Sequence, residues 1–220
     1  MDYDGMRLCV VEDTLGVGSG MCRWPQPDVS WSIIADLPGW GREALQAAIE
    51  SAFAGWSKVC GLRPVFRGFG ERSNITIGVQ TIGPGQVLAD CELPCGYSMG
   101  HSARMRIDTA EAWVNAENPP SNRVDLVRTV CHELGHGIGI PHIGGGNLMA
   151  PTYSSQIRWP LAGDIAEAVA RYGLPAANPN PAPVDPMNPP VDDGFTELAA
   201  LLLDRNGKLV FRLGGKVVGQ

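Results

Sequence analysis

The chain has 220 residues, 44% of them hydrophobic and 18% charged, a soluble globular composition with room for one ordinary domain plus appendages. Its net charge of −6 and the lack of any Lys/Arg cluster exclude a nucleic-acid surface, which needs basic side chains to displace phosphate counterions. The longest apolar run, LAALLL at 198–203, falls far short of the ~20 residues of a membrane-spanning helix.

Residues 1–23 are glycine-broken and predict an N-terminal arm or hairpin. The opening MDYDGMRLCVV is acidic and does not read as a secretory signal, which leaves a mature chain, another exit route or residence inside the cell. VSWSIIA at 29–35 has strand character. Across 41–59, Leu45, Ala48, Ile49, Ala52, Phe53 and Trp56 recur at helical spacing, an amphipathic helix. RPVFRG, NITIGVQ, QVLADC and RMRID follow as short strands between Gly/Pro turns. A second helix is expected from Asn122, a good N-cap, to Gly137, and a third over 161–172, after Pro160 and before Gly173. Seven of the sixteen residues at 175–190 are proline, so 174–192 reads as a semi-stiff linker. In the tail, 193–220, Asn206-Gly207 lies between apolar runs and signals a hairpin. A lone hairpin is marginal in water, so the tail is expected to dock on the main domain, another copy or a partner protein. The six cysteines match no zinc ribbon; they allow fifteen pairings, and free thiols are equally open.

Three of the four histidines fall within eleven residues, in CHELGHGIGIPH. His132 and His136 are four apart and share one helix face, so both imidazoles can reach one Zn2+. Glu133 lies beside the first ligand, placed to serve as general base. His142 can return to the same metal only if the helix breaks; Gly139 supplies the reversal and Pro141 fixes φ just before the ligand. Three protein ligands leave a fourth position for water, the arrangement of a catalytic site. Met149, seven residues after His142, falls where a methionine turn would floor the site.

The motif H-E-x-x-H-x-x-G-x-x-H is the metzincin zinc signature, and residues 24–173 resemble the matrixin branch of that group. LQAAIESAFAGWSKVCGLRPVF is similar to the family's first helix, SNITIGV to its next strand, RIDTAEAWV to its F-D-x-x-E-x-W stretch, and GDIAEAVARYG, with Asp164, to its closing helix. The resemblance implies an α+β (α/β) metzincin fold: a twisted, mostly parallel sheet with three helices, here followed by the hairpin tail. It implies a zinc metalloendopeptidase acting on an extended peptide or protein substrate, paired by backbone along the edge strand at Leu88 and Ala89, with Tyr153 bordering a side-chain pocket. Structural zinc histidines of relatives are replaced at Asp90 and Arg106, leaving His101 alone, so no second zinc is expected there. Asp108 and Glu111 match family calcium (Ca2+) ligands, while the preceding loop lacks the usual acidic partner. GMCRWPQPDV partly resembles a cysteine-switch peptide, though its residue order differs and only 21 residues precede Cys22. An extracellular, virion-associated or surface-associated location fits this reading. The rival reading is an assembly or binding protein that retains a metzincin-like domain.

Overall fold

In the computed structural model, residues 3–8, 22–82, 87–94 and 102–176 are described, together with three short strands between 201 and 217. Strand β1 (Asp28–Ile33) is the organising element. Val29, Trp31 and Ile33 alternate onto one face and are buried, as period-2 spacing requires. On the opposite face Ser32 is buried too, its hydroxyl donating to the Glu71 carbonyl at 2.7 Å. A crossover through helix α1 (Arg42–Ser57) leads to β2 (Arg63–Phe69), which pairs parallel with β1, as βαβ connections do. β3 (Ile75–Gln80), β4 (Ala89–Cys91) and β5 (Ala103–Asp108) complete a five-stranded sheet in the order β2-β1-β3-β5-β4. Only β4, at the edge, runs antiparallel. The mostly parallel sheet expected from sequence is present.

Two further helices follow, α2 (Leu126–Gly137) and α3 (Ala162–Tyr172). Every residue of α2 is buried, the mark of a helix covered all round by protein. Gly55 of α1 lies against Trp159, and Trp56 Nε1 donates to the Cys131 carbonyl of α2 at 2.8 Å. α2 begins later than its sequence suggests. Asn122 is not its cap: Val124–Asp125 (β7) pairs parallel with Trp113–Val114 (β6), and the Asp125 side chain accepts from Arg128 N. Burial of Val124 against Trp113 holds the chain extended for three more residues.

The chain divides into two compact units, Met1–Pro175 and Ala176–Gln220. In the second, β8 (Leu201–Leu203) and β9 (Leu209–Leu213) pair antiparallel and β10 (Lys216–Val217) adds a third strand; the Asn206-Gly207 position lies outside the described residues. Among the described residues no helix is long and apolar enough to cross a membrane.

Candidate active site

The second half of α2 carries His132, Glu133 and His136, one helical turn separating the two imidazoles. The helix stops at Ile138, and Gly139 takes φ +97°, a conformation that penalises any side chain. Space forbids one as well, since a Cβ on Gly139 would collide with the Cys22 carbonyl. Trp24 Nε1 donates to Gly137 O and Tyr172 OH to Ile138 O, each at 2.8 Å. Arg171 Nε takes Gly139 O, also at 2.8 Å. The carbonyls a helix end leaves unbonded are therefore satisfied by side chains from distant segments. This reversal brings His142 back, so that ligand atoms of His132, His136 and His142 all lie within 4.8 Å of one another. Among the described residues this is the one group of three or more His, Cys, Asp or Glu placed to hold a metal.

The ring orientations are set by carbonyls. His132 Nδ1 is 2.8 Å from Leu148 O, and His136 Nδ1 is 2.8 Å from Ile140 O. A carbonyl can only accept, so each Nδ1 carries the proton and each Nε2 presents its lone pair. Burial keeps both rings neutral, pushing His132 down to about 4 and His136 well below its ordinary value. The two Nε2 atoms nevertheless face each other at 3.2 Å. Two lone pairs so close repel unless a cation lies between them. That spacing is near the ~3.3 Å separating two nitrogens bound ~2.0–2.1 Å from one tetrahedral zinc. Three imidazoles are a donor set that suits zinc. Glu133 Oε1 lies 3.9 Å from His132 Nε2, within the same buried pocket.

The chain leaving His142 runs through Leu148, whose carbonyl faces His132 Nδ1, to Met149, which is fully buried. A Cβ on Gly135 would overlap Met149 Sδ and come within 2.8 Å of its Cε, so glycine at this motif position admits the methionine. Asp164, fully buried at the start of α3, accepts from Leu148 N at 2.8 Å and Met149 N at 3.1 Å, and from Leu161 N of its own helix at 2.8 Å. Burial raises its carboxyl, opposed by these three N–H groups. The segment that orients His132 is thus pinned by a carboxylate fifteen residues further on.

Residues 23–172 match the family described as Matrixin. The chain belongs to the matrixin family. It is 29% identical over 200 residues to stromelysin-1 of Mus musculus, covering 82% of this chain and 40% of the relative. It is 30% identical over 201 residues to interstitial collagenase of Oryctolagus cuniculus (87% and 41% covered) and 31% identical over 201 residues to that of Sus scrofa (87% and 41%). The chain spans about two fifths of the length of these curated relatives. As a matrixin it is a member of a zinc metallopeptidase family.

Elsewhere in the matrixin domain the other expected residues have defined places. Asp90 and Arg106 oppose one another across β4 and β5 as a two-point ion pair, at 2.8 and 2.5 Å, which raises the arginine's pKa. Asp108 Oδ1 accepts from Ile82 N and Ala110 N, both at 3.0 Å, and Glu111 Oε2 accepts from Tyr3 OH at 2.7 Å. Tyr153 is buried; its hydroxyl accepts from Arg128 Nη1 at 2.8 Å and Asp125 N at 3.2 Å. Leu88 N and Ala89 N both donate to Leu8 O, at 3.1 and 3.2 Å. His101 lies outside the described residues. Cys60, Cys91 and Cys131 are buried free thiols. Cys22 corrects the cysteine-switch resemblance: it is disulfide-bonded, so its sulfur is no thiolate available to a metal.

Proposed function

We propose that this matrixin domain is a zinc-dependent endopeptidase that cleaves extended peptide or protein substrates. The observation that carries the reading is the meeting of three imidazoles, two with Nδ1 held by carbonyls, beside the Glu133 carboxylate. His132, His136 and His142 would hold the ion, which supplies Lewis acidity to activate water and polarise the scissile carbonyl. Glu133 accepts the proton of the attacking water and delivers it to the leaving amine. Its burial places that transfer in a low-dielectric pocket, where a charge acts more strongly than in water. Leu148 O and Ile140 O fix the tautomers and ring angles of His132 and His136, and Met149, packed against Gly135 of the same helix, would floor the site. The backbone N–H groups of Leu88 and Ala89 form the edge on which a substrate strand would pair. The carboxylates of Asp108 and Glu111 already serve turn amides and Tyr3, so calcium has no part in this proposal. Disulfides persist in oxidising compartments, and the bond at Cys22 leads us to place the protein outside the reducing cytosol.

The test is metal analysis together with digestion of a mixed peptide library. Glu133→Gln should bind zinc like the parent while cleavage falls by ~10²–10⁴-fold, the range for general-base removal. Cleavage retained in that variant would overturn the role given to Glu133.

A further inference from the structure

The end of α2 is held by more than its own hydrogen bonds, and a charged side chain takes part: Arg171, in the last turn of α3. Arg171 is 7% exposed, so its guanidinium has left water and must find acceptors within the protein. It finds them on three segments. Nε donates to Gly139 O at 2.8 Å and to Cys22 O at 3.1 Å. Nη1 donates to Glu167 O at 3.0 Å and pairs with the Glu167 carboxylate, one turn back on its own helix. Arg23 Nη1 in turn donates to Arg171 O at 2.8 Å. The backbones of Cys22 and Gly139 pack so closely that no Cβ fits between them. Both carbonyls therefore need a donor in one small space, and a single cationic N–H serves the two.

What this grip controls follows from the geometry of the peptide bond. The Gly139 carbonyl and the Ile140 N–H belong to one rigid plane. Arg171 holds the carbonyl end, and Gly135 O accepts from the Ile140 N–H at 2.8 Å. A plane fastened at both ends fixes how Ile140 leaves it, and Ile140 O is the carbonyl that faces His136 Nδ1 at 2.8 Å. His142 stands two residues further along. One guanidinium thus bears on two of the three imidazoles. Cys22, the other post of the clip, is disulfide-bonded and 5% exposed, so it is not free to follow the reversal if that drifts.

We infer that Arg171 is a positioning residue of the metal site, tying the Gly139 reversal to the fixed segment at Cys22 so that His136 and His142 present their nitrogens to one ion. The inference rests on the reading of His132, His136 and His142 as zinc ligands. A buried arginine can also serve stability alone, and measurement separates the two roles. Once nearly every molecule is folded, a loss of global stability leaves metal affinity unchanged, whereas a loosened reversal lowers it by depleting the binding-competent form.

The test uses the full chain, stripped of metal and titrated with zinc against a chromophoric chelator, with hydrogen exchange measured on the metal-free form. Arg171→Met keeps much of the stem and removes every donor, so zinc affinity should fall about 10–100-fold, the range for losing a group that orients a ligand. Exchange at the Ile140 amide should quicken while that at Val130, within α2, stays as in the parent. Arg171→Lys keeps the charge but not the planar fork, and should recover part of the affinity. Leu45→Ala, a core truncation in α1, should unfold more easily in urea yet bind zinc like the parent. Parent affinity in Arg171→Met overturns the inference and leaves the metal reading standing, as does an equal fall of affinity in Leu45→Ala. If Arg171→Met fails to fold, Arg171→Lys decides: parent affinity together with parent exchange at Ile140 overturns the inference. A parent chain that binds no zinc overturns the metal reading and this inference with it.

Discussion

Chelation at neutral pH followed by acidification is expected to destabilise the protein above the range in which ordinary carboxylates titrate. Burial lowers His132 from 6.5 to about 4 and moves His136 in the same direction. Above pH 6.5 the imidazoles are neutral in folded and unfolded chains alike, and the full stability is present. Between 6.5 and about 4 the unfolded chain takes up a proton at His132 that the fold refuses. Each pH unit then costs about 1.4 kcal/mol per group, so His132 alone removes about 3 kcal/mol by pH 4, and His136 adds to it. That is a large share of the ~5–15 kcal/mol that holds a domain together. Burial raises the carboxyls of Asp125 and Asp164, and a raised carboxyl favours the fold as pH falls, so these two act in the opposite sense. Asp28 and Asp36, held low by Arg63 and Arg42, act in the same sense as the histidines but only toward the low end of the window, so a loss that begins near pH 6 points to the imidazoles. The assay is urea unfolding of the chelated full chain at intervals from pH 7 to 4.5, beside the zinc-loaded chain. His132→Gln should flatten the slope by about one proton. A free energy of unfolding that stays level from pH 7 to 4.5 in the chelated parent would refute the claim that these rings are buried in neutral form.

Gly135→Ala should force Met149 out of its place and cost about 1–3 kcal/mol, read as a lower melting temperature and weaker zinc binding by chelator competition. Asp164→Asn leaves at least one of the Leu148, Met149 and Leu161 amides without an acceptor, so unfolding should be easier by about 1–3 kcal/mol. Zinc affinity should fall in the same variant, because Leu148 O would no longer hold the His132 ring steadily; unchanged affinity counts against that role. Gly139→Ala meets both the positive φ and the Cys22 carbonyl, and is expected to lose metal before it loses the helix signal in circular dichroism.

The spacing His132–His136 was legible in the sequence because four residues make roughly one helical turn, so local geometry alone sets which face both rings share. Gly139 was legible for a similar reason: its positive φ belongs to one residue's backbone. The three helices followed from periodicity and turn residues, and the mostly parallel sheet from the family resemblance. The start of α2 did not, since Asn122 is as good a cap as Asp125 until β6 and β7 pair across Trp113 and Val124. Gly135 occupies a free position of the motif and acquires meaning only when Met149 is packed against it. The grip of Asp164 on the Leu148–Met149 amides, and of Arg171 on the helix reversal, joins residues separated by fifteen to thirty-two positions. The placing of Tyr3 and Leu8 is more distant still, with Glu111 and Leu88 as partners. What the amino-acid order determined by itself was the set of donors and the local turns that aim them. Which carbonyls steady those donors, which glycine must stay small and where the arm lies were decided by tertiary structure, because hydrogen bonds and close packing depend on distances that only the folded chain brings within a few ångströms.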